Sequence, residues 1–268
     1  MTTKHEHLAG WADFIAEAGR PDATGCGNSD AHGKRRTEWT WTASLREAMS
    51  LAEAGWPDGF KELSVRADGI VHRLAGNGDL LAIQAEAGDE VDVGLFLAED
   101  PESMIEYQLT ARRRPVVKFI VSGTFSSGVS PETIYNRGAA IVAAIDQIEA
   151  TGIRCEVDLS FDMSGDRRTY RTRVALKHAD DAVDRDKLAF AICHPSTLRR
   201  LYFRLAERFG KEDWERRGGD SYGHPTDPEG EEGAIVIPAL RHGSEFDSMD
   251  AAVEYAETLI AQAVSAAA

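Results

Sequence analysis

The sequence predicts an α/β fold: a three-layer sandwich on a mixed, mainly parallel sheet, preceded by an α-helical N-terminal extension. Three observations predict it. Pro115-Val-Val-Lys-Phe-Ile-Val121 is a near-continuous apolar run rich in β-branched residues, the pattern of a strand covered on both faces. Ser130-Pro131-Glu132 then opens a long amphipathic helix, with Ser at the cap and Pro at its first position. Ile153 to Phe161 is a second apolar strand, so the stretch reads strand–loop–helix–strand, a crossover that makes its two strands parallel. Residues 1–75 are assigned to the extension and 76–268 to the core.

The other elements follow in order. Leu8, Trp11, Phe14, Ile15 and Ala18 stand at helical spacing, and Gly19 and Pro21 end that helix. Residues 20–36, rich in Gly, Asp, Asn and Ser, read as a loop. Ser44-Leu-Arg-Glu47 is a capping box opening a helix that stops at Gly55-Trp-Pro-Asp-Gly59. A further helix is expected over 60–74 and a strand over 80–85, whereas Asp92 to Tyr107 is divided by Pro101. After the core strands, Ser164-Gly-Asp166 marks a hairpin turn returning along 169–176. A helix over 184–209 is interrupted at His194-Pro195, because Pro has no N–H for the preceding turn. Residues 210–232 form a loop longer than ordinary connections, which assigns it to function or disorder. Ala234 to Leu240 is a short strand, and Ser248 caps the last helix.

The 268 residues carry 30 Lys+Arg against 45 Asp+Glu, a formal net charge of −15. That charge opposes a whole-protein grip on nucleic acid or an anionic membrane. The polar N-terminus shows no secretory signal and no apolar run spans a membrane, so a cytoplasmic protein is expected. Cys26, Cys155 and Cys193 are widely spaced and read as reduced thiols. Cys193 adjoins His194, but neighbours on a helix point about 100° apart, so Cys193 reads as a buried structural thiol. His5 and His7 read as part of a frayed terminus.

Ligands of open α/β sheets bind beyond the carboxyl ends of the strands. Here that rim carries Ser122, Thr124, Ser126 and Ser127, with the helix after Ser130 directing its positive end toward it. Such hydroxyls suit a phosphate, a hard cation beside carboxylates, or simply a tight strand-to-helix turn. The spacing Ser122-x-Thr124-x-Ser126 resembles the metal-binding D-x-S-x-S loop of von Willebrand factor A domains, over residues 115–161. That resemblance implies a von Willebrand A-like or Rossmann-like core and an adaptor role, with an AAA-type ATPase as one partner. Ser122 stands where those domains have Asp, and a neutral first ligand weakens divalent binding. No cofactor is therefore expected. Mg²⁺ is the ion the loop would take with help from Asp158 or Asp162.

A wider resemblance joins Trp41-Thr-Ala-Ser-Leu-Arg-Glu-Ala48, Asp92 to Met104, Arg137-Gly-Ala-Ala140 and His194-Pro-Ser-Thr-Leu-Arg-Arg200. These stretches are similar to a bacteriophage-encoded family without an assigned activity, which implies a viral protein acting in the host cytoplasm. Three functions stay open. The first is a non-enzymatic binding, assembly or adaptor protein, pairing with an ATPase or with itself and working through the loops 122–128 and 210–232. The second is nucleic-acid binding by clustered arginines, with Arg171 and Arg173 on one strand face and Arg200 and Arg204 on one helix face. Tyr170, Tyr202 and Trp214 are its candidate base-stacking residues. The third is a metal-dependent hydrolase at the strand ends.

Overall fold

A computed structural model describes residues 2–20, 29–56, 59, 61, 81–85, 87–88, 90–108, 115–164, 168–209, 222, 224–242, 246 and 248–267. In chain order the elements begin with β1 (Thr2–Leu8), α1 (Trp11–Gly19), α2 (Lys34–Thr40) and α3 (Leu45–Ala54). Next come β2 (Leu81–Ala85), β3 (Glu90–Val91), α4 (Val93–Leu97) and β4 (Met104–Gln108). The core follows with β5 (Val116–Ser122), α5 (Pro131–Ala150), β6 (Arg154–Ser164) and β7 (Arg168–Lys177). Then α6 (Arg185–Leu188) runs through two π-helical segments, Ala189–Cys193 and Thr197–Tyr202, into α7 (Phe203–Phe209). The chain closes with β8 (His224–Pro225), β9 (Ile235–Ile237) and α8 (Met249–Ala267).

The fold is α/β with a mixed, mostly parallel sheet in the order β1-β7-β6-β5-β9, and β8 pairing β6. β5 and β6 are parallel, with Val116 opposite Arg154 and Ser122 opposite Ser160, as the crossover requires. β9 joins β5 in parallel, and β7 returns antiparallel to β6. The caps form as the sequence predicts. Ser44 accepts from the Glu47 N–H at 3.1 Å and Ser130 from the Thr133 N–H at 3.1 Å. The Glu47 carboxylate reaches the Ala43 N–H at 2.6 Å, closing the capping box one residue early. Ser248 accepts from the Ala251 N–H at 3.2 Å.

Several expectations are amended. Residues 2–8 are a strand rather than a frayed end: β1 pairs in parallel with β7, setting His5 opposite Arg171 and His7 opposite Arg173. The N-terminal part therefore contributes to the central sheet and is not purely helical. Its sequence, Thr-Thr-Lys-His-Glu-His-Leu, has no apolar alternation, so only the partner strand makes it a strand. Part of the expected 20–36 loop is helical, since α2 begins at Lys34. β2, β4 and β3 form a separate three-stranded sheet. The helix expected over 60–74 lies almost wholly outside the described residues; Cys26, Gly165 and the 210–221 part of the loop expected over 210–232 lie outside them too.

The expected third layer is not found among the described residues. α1, α3, α5, the π segments and α8 form one connected layer, because α1 meets α3, α5 meets the first π segment, and α8 lies along α5. That layer covers the face where β6 turns Cys155, Val157, Leu159, Phe161 and Met163, each buried. Phe161 stacks between Phe14 and Tyr202, at ring-centroid distances of 5.3 and 4.6 Å. The opposite face of β6 carries Glu156, Asp158, Ser160 and Asp162, which give a second helical layer no apolar stripe to bury.

The break at His194-Pro195 falls between the two π segments, which wind one residue wider than an α-helix. His194 is 2 % exposed and wedged against Phe190, Trp41 and Trp56. Its Nδ1 accepts from the Ser196 N–H at 3.0 Å, and burial pushes its pKa down to about 3. Cys193 is buried beside it, in line with the structural reading.

Candidate functional site

The rim loop is built as a turn. Ser122 and Thr124 are fully buried and their hydroxyls bond each other at 2.9 Å, while the Thr124 N–H donates to Ser122 Oγ at 3.2 Å. A side chain at Gly123 would place its Cβ 2.6 Å from the Phe161 ring, so glycine is required where the loop crosses β6. The buried Arg137 guanidinium donates to the Ser122 and Pro238 carbonyls at 3.0 and 2.9 Å, tying α5 to the strand ends. Ser126 is half-buried and Ser127 exposed. The Ser127 carbonyl accepts from Trp39 Nε1 at 3.3 Å and Arg199 Nη2 at 3.2 Å. Arg199 lies over the Trp39 and Phe125 rings, at 4.4 and 4.8 Å from their centroids. The N-terminal part thus meets the loop through Trp39 at Ser127.

The arginines divide. Arg171 and Arg173 point to the polar face of the sheet, beside His5, His7, Ser160 and Asp162. Arg200 is on the helical side, 0 % exposed, and its five N–H donors are all spent. Nε reaches Thr42 Oγ1 at 3.1 Å, Nη1 the Ser29 and Ala31 carbonyls at 2.8 and 3.0 Å, and Nη2 Thr40 Oγ1 and the Thr42 carbonyl at 3.2 and 2.8 Å. Arg204 stands one turn further along, in α7. The structure does not bring the two arginine pairs together. Arg112, Arg113, Arg114, Arg216, Arg217 and Trp214 lie outside the described residues. Tyr202 is a buried core ring.

What the sheet does assemble is a cleft of about 220 Å³ on its polar face. β1 supplies His5 and His7, β6 supplies Ser160 and Asp162, and β7 supplies Arg171 and Arg173. Side-chain alternation and the strand registers set these residues on one face: Asp162 pairs Arg171, and Ser160 pairs Arg173. A strap over 226–233 closes the open side with Glu229, Gly230 and Glu231. The strap is anchored where the Thr226 N–H donates to the Asp162 carbonyl at 3.0 Å, and where Asp227 accepts from the Ala239 N–H at 3.0 Å.

Asp162 is the unusual group. It is 1 % exposed and accepts from Ser160 Oγ at 2.5 Å, yet its Oδ1 has no hydrogen bond and sits 3.6 Å from Arg171 Nε. Burial raises its pKa above the ordinary carboxylate value, opposed by the Ser160 hydrogen bond and the Arg171 and Arg173 charges. The native state therefore binds this proton more tightly than the unfolded chain does. The carboxylate costs stability above its raised pKa, and the cost fades as pH falls through the raised value toward the unfolded one. Asp162→Asn is expected to melt higher than the parent at pH 8 and level with it at pH 3. The gain is about 2–4 °C per 1 kcal/mol recovered, read by thermal unfolding at both pH values. A variant that melts lower at pH 8 contradicts this.

Sequence reasoning singled out Asp162, Arg171 and Arg173 separately. It missed His5, His7 and the acidic strap, whose only sequence signal is Glu229-Gly-Glu-Glu232. Among the described residues no three His, Cys, Asp or Glu side chains stand close enough to hold a metal ion. No described helix is long and apolar enough to cross a membrane.

A family model described as a domain of unknown function (DUF7192) matches residues 2–261. It spans both β1 and the crossover unit. No curated protein and no solved structure matches the chain.

Proposed function

The chain belongs to that family of unknown function, and from this premise we propose that it is a non-enzymatic binding or assembly protein that docks a protein partner through α4. The observation that carries the reading is an apolar ridge left in water. Val93, Phe96 and Leu97 are 65, 63 and 76 % exposed within one short helix. Large apolar side chains grouped this way mark an interaction surface more often than chance exposure does. The ridge is held firmly: Asp92 caps the helix by accepting from the Gly94 and Leu95 N–H groups at 2.9 and 3.1 Å. Exposed Glu90, Glu99, Asp100 and Glu102 rim it, so the complementary surface is an apolar groove with basic edges.

The working surface thereby moves from the rim loop, whose hydroxyls are largely spent, to α4. A thiol mechanism has little support, since Cys193 and His194 are both buried and the His194 Nδ1 is engaged. The von Willebrand A-like reading draws its support from the parallel β5–α5–β6 unit with Ser122-x-Thr124-x-Ser126 at its rim. With it goes an AAA-type ATPase as partner, with a second copy as the other choice; a phage protein in the host cytoplasm draws instead on the wider resemblance of Trp41 to Ala48, Asp92 to Met104, Arg137 to Ala140 and His194 to Arg200.

The test is photo-crosslinking from position 93 in cells, with sedimentation velocity on the purified chain. A discrete adduct or a self-associated species is expected. Phe96→Ser with Leu97→Ser should weaken it by about tenfold or more at an unchanged melting temperature. A monomer that gives the same adducts with and without those substitutions removes the proposal.

A further inference from the structure

Beneath the strap, the floor of the sheet carries three cations among the acids of β6. Lys118 on β5 and Arg171 and Arg173 on β7 rise from it, and Asp158 pairs Lys118 at 3.0 Å. Over this floor the strap lays two carboxylates. Glu231 is shared between Lys118 Nζ, at 2.8 Å, and Arg173 Nη1. Glu229 takes Arg171 Nη1 at 2.9 Å, and its carbonyl takes Arg173 Nη2 at 2.7 Å. The Arg171 and Arg173 side chains are 26 and 12 % exposed, whereas those of Glu229 and Glu231 are 62 and 43 % exposed. The strap's carboxylates are thus the more exposed partners of Lys118, Arg171 and Arg173, while the floor's own Asp158 and Asp162 lie beside these cations from below.

Two further features point to a ligand. Arg171 Nε and Asp162 Oδ1 face each other at 3.6 Å, an ion pair too long for a hydrogen bond, so Arg171 keeps a donor that a closer acceptor could take. Arg171 and Arg173 are two residues apart on one strand face, so their forks sit about 6.6 Å apart along the strand. Planar guanidinium forks at such a spacing suit successive phosphates or the phosphate and edge of a nucleotide. The strap's own ion pairs are solvent-facing and individually weak, so a ligand with several anionic oxygens can displace them.

We propose that Glu229 and Glu231 are a built-in competitor occupying a phosphate-binding seat formed by Lys118, Arg171 and Arg173. The phosphate comes from a nucleic-acid strand or from a free nucleotide. This seat is independent of the α4 ridge and stands or falls without it.

Fluorescence anisotropy with a labelled oligothymidylate of twelve nucleotides tests the proposal, with unlabelled thymidine monophosphate as competitor. Glu229→Gln with Glu231→Gln is expected to bind the strand about tenfold more tightly than the parent at low salt, and to lose it as salt rises. On that background Arg171→Gln with Arg173→Gln should abolish the gain. Lys118→Gln serves as the milder second variant should the arginine pair fail to fold. Monophosphate competing equally per phosphate assigns the seat to free nucleotides, and failure to compete assigns it to strands. A Gln pair that melts like the parent but binds neither probe more tightly overturns the proposal. So does a gain that survives loss of both the arginines and Lys118.

Discussion

Arg200→Ala is expected to lower stability by about 3–5 kcal/mol and the melting temperature by about 10 °C or more. The guanidinium is 0 % exposed and serves five acceptors on two otherwise separate stretches, 29–31 and 40–42. Alanine takes this donor from the buried Ser29 carbonyl and the half-buried Ala31 carbonyl, while the Thr42 carbonyl keeps the Thr40 hydroxyl at 2.8 Å; each carbonyl left unpaired costs about 1–3 kcal/mol. Ser196 and Glu207 support the same junction, through the Thr42 hydroxyl at 2.7 Å and the Ser29 N–H at 2.9 Å, so part of the geometry survives. Arg200→Lys should recover little, because one ammonium cannot reach acceptors arranged around a planar fork. Urea unfolding of the three proteins measures this. A variant with the parental midpoint would mean that the junction contributes nothing. The same result separates Arg200 from Arg171 and Arg173, whose removal should act on binding before stability.

Gly138→Ala is expected to destabilise by about 1–3 kcal/mol, although alanine is the better helix former by about 1 kcal/mol. A Cβ there would stand 1.9 Å from Cys193 Sγ and 3.1 Å from Cys193 Cβ. α5 and the first π segment must therefore part, or Cys193 must abandon its rotamer in a fully buried site. Cys193→Ala on the Gly138→Ala background removes the nearer clash and should recover most of the loss, while Cys193→Ala alone costs little. The double-mutant cycle reads the coupling directly. Additive effects would show that the two residues do not limit helix approach. This contact also gives the Cys193 side chain a packing role between α5 and the first π segment.

The crossover at 115–161 was legible because every local signal agreed: an apolar β-branched run, a Ser-Pro-Glu helix start and a second apolar strand. The interruption at His194-Pro195 was legible for the same reason. β1 was not, because an edge strand of polar residues owes its conformation to hydrogen bonds from β7 and carries no pattern of its own. Ser122 and Thr124 looked like ligands from the chain alone. Whether a hydroxyl faces a ligand or its neighbour depends on what packs around it, and here the two bond each other while Arg137 and the distant Leu240 N–H take their carbonyls. Arg200 looked surface-exposed because arginine usually is. Its burial depends on five acceptors that converge only once the N-terminal segments fold across the π segment.

The chain by itself therefore determined the α/β class, the parallel unit, the helix caps and the acidic character, since these depend on near neighbours and on composition. Tertiary structure alone decided that one face of the sheet is bare of described helices, that Asp162, Arg171, Arg173, His5 and His7 share a cleft, and that an acidic strap covers it. The reason is physical. Strand register and burial are set by contacts between residues far apart in sequence, and a polar side chain's role follows from its partners rather than from its type.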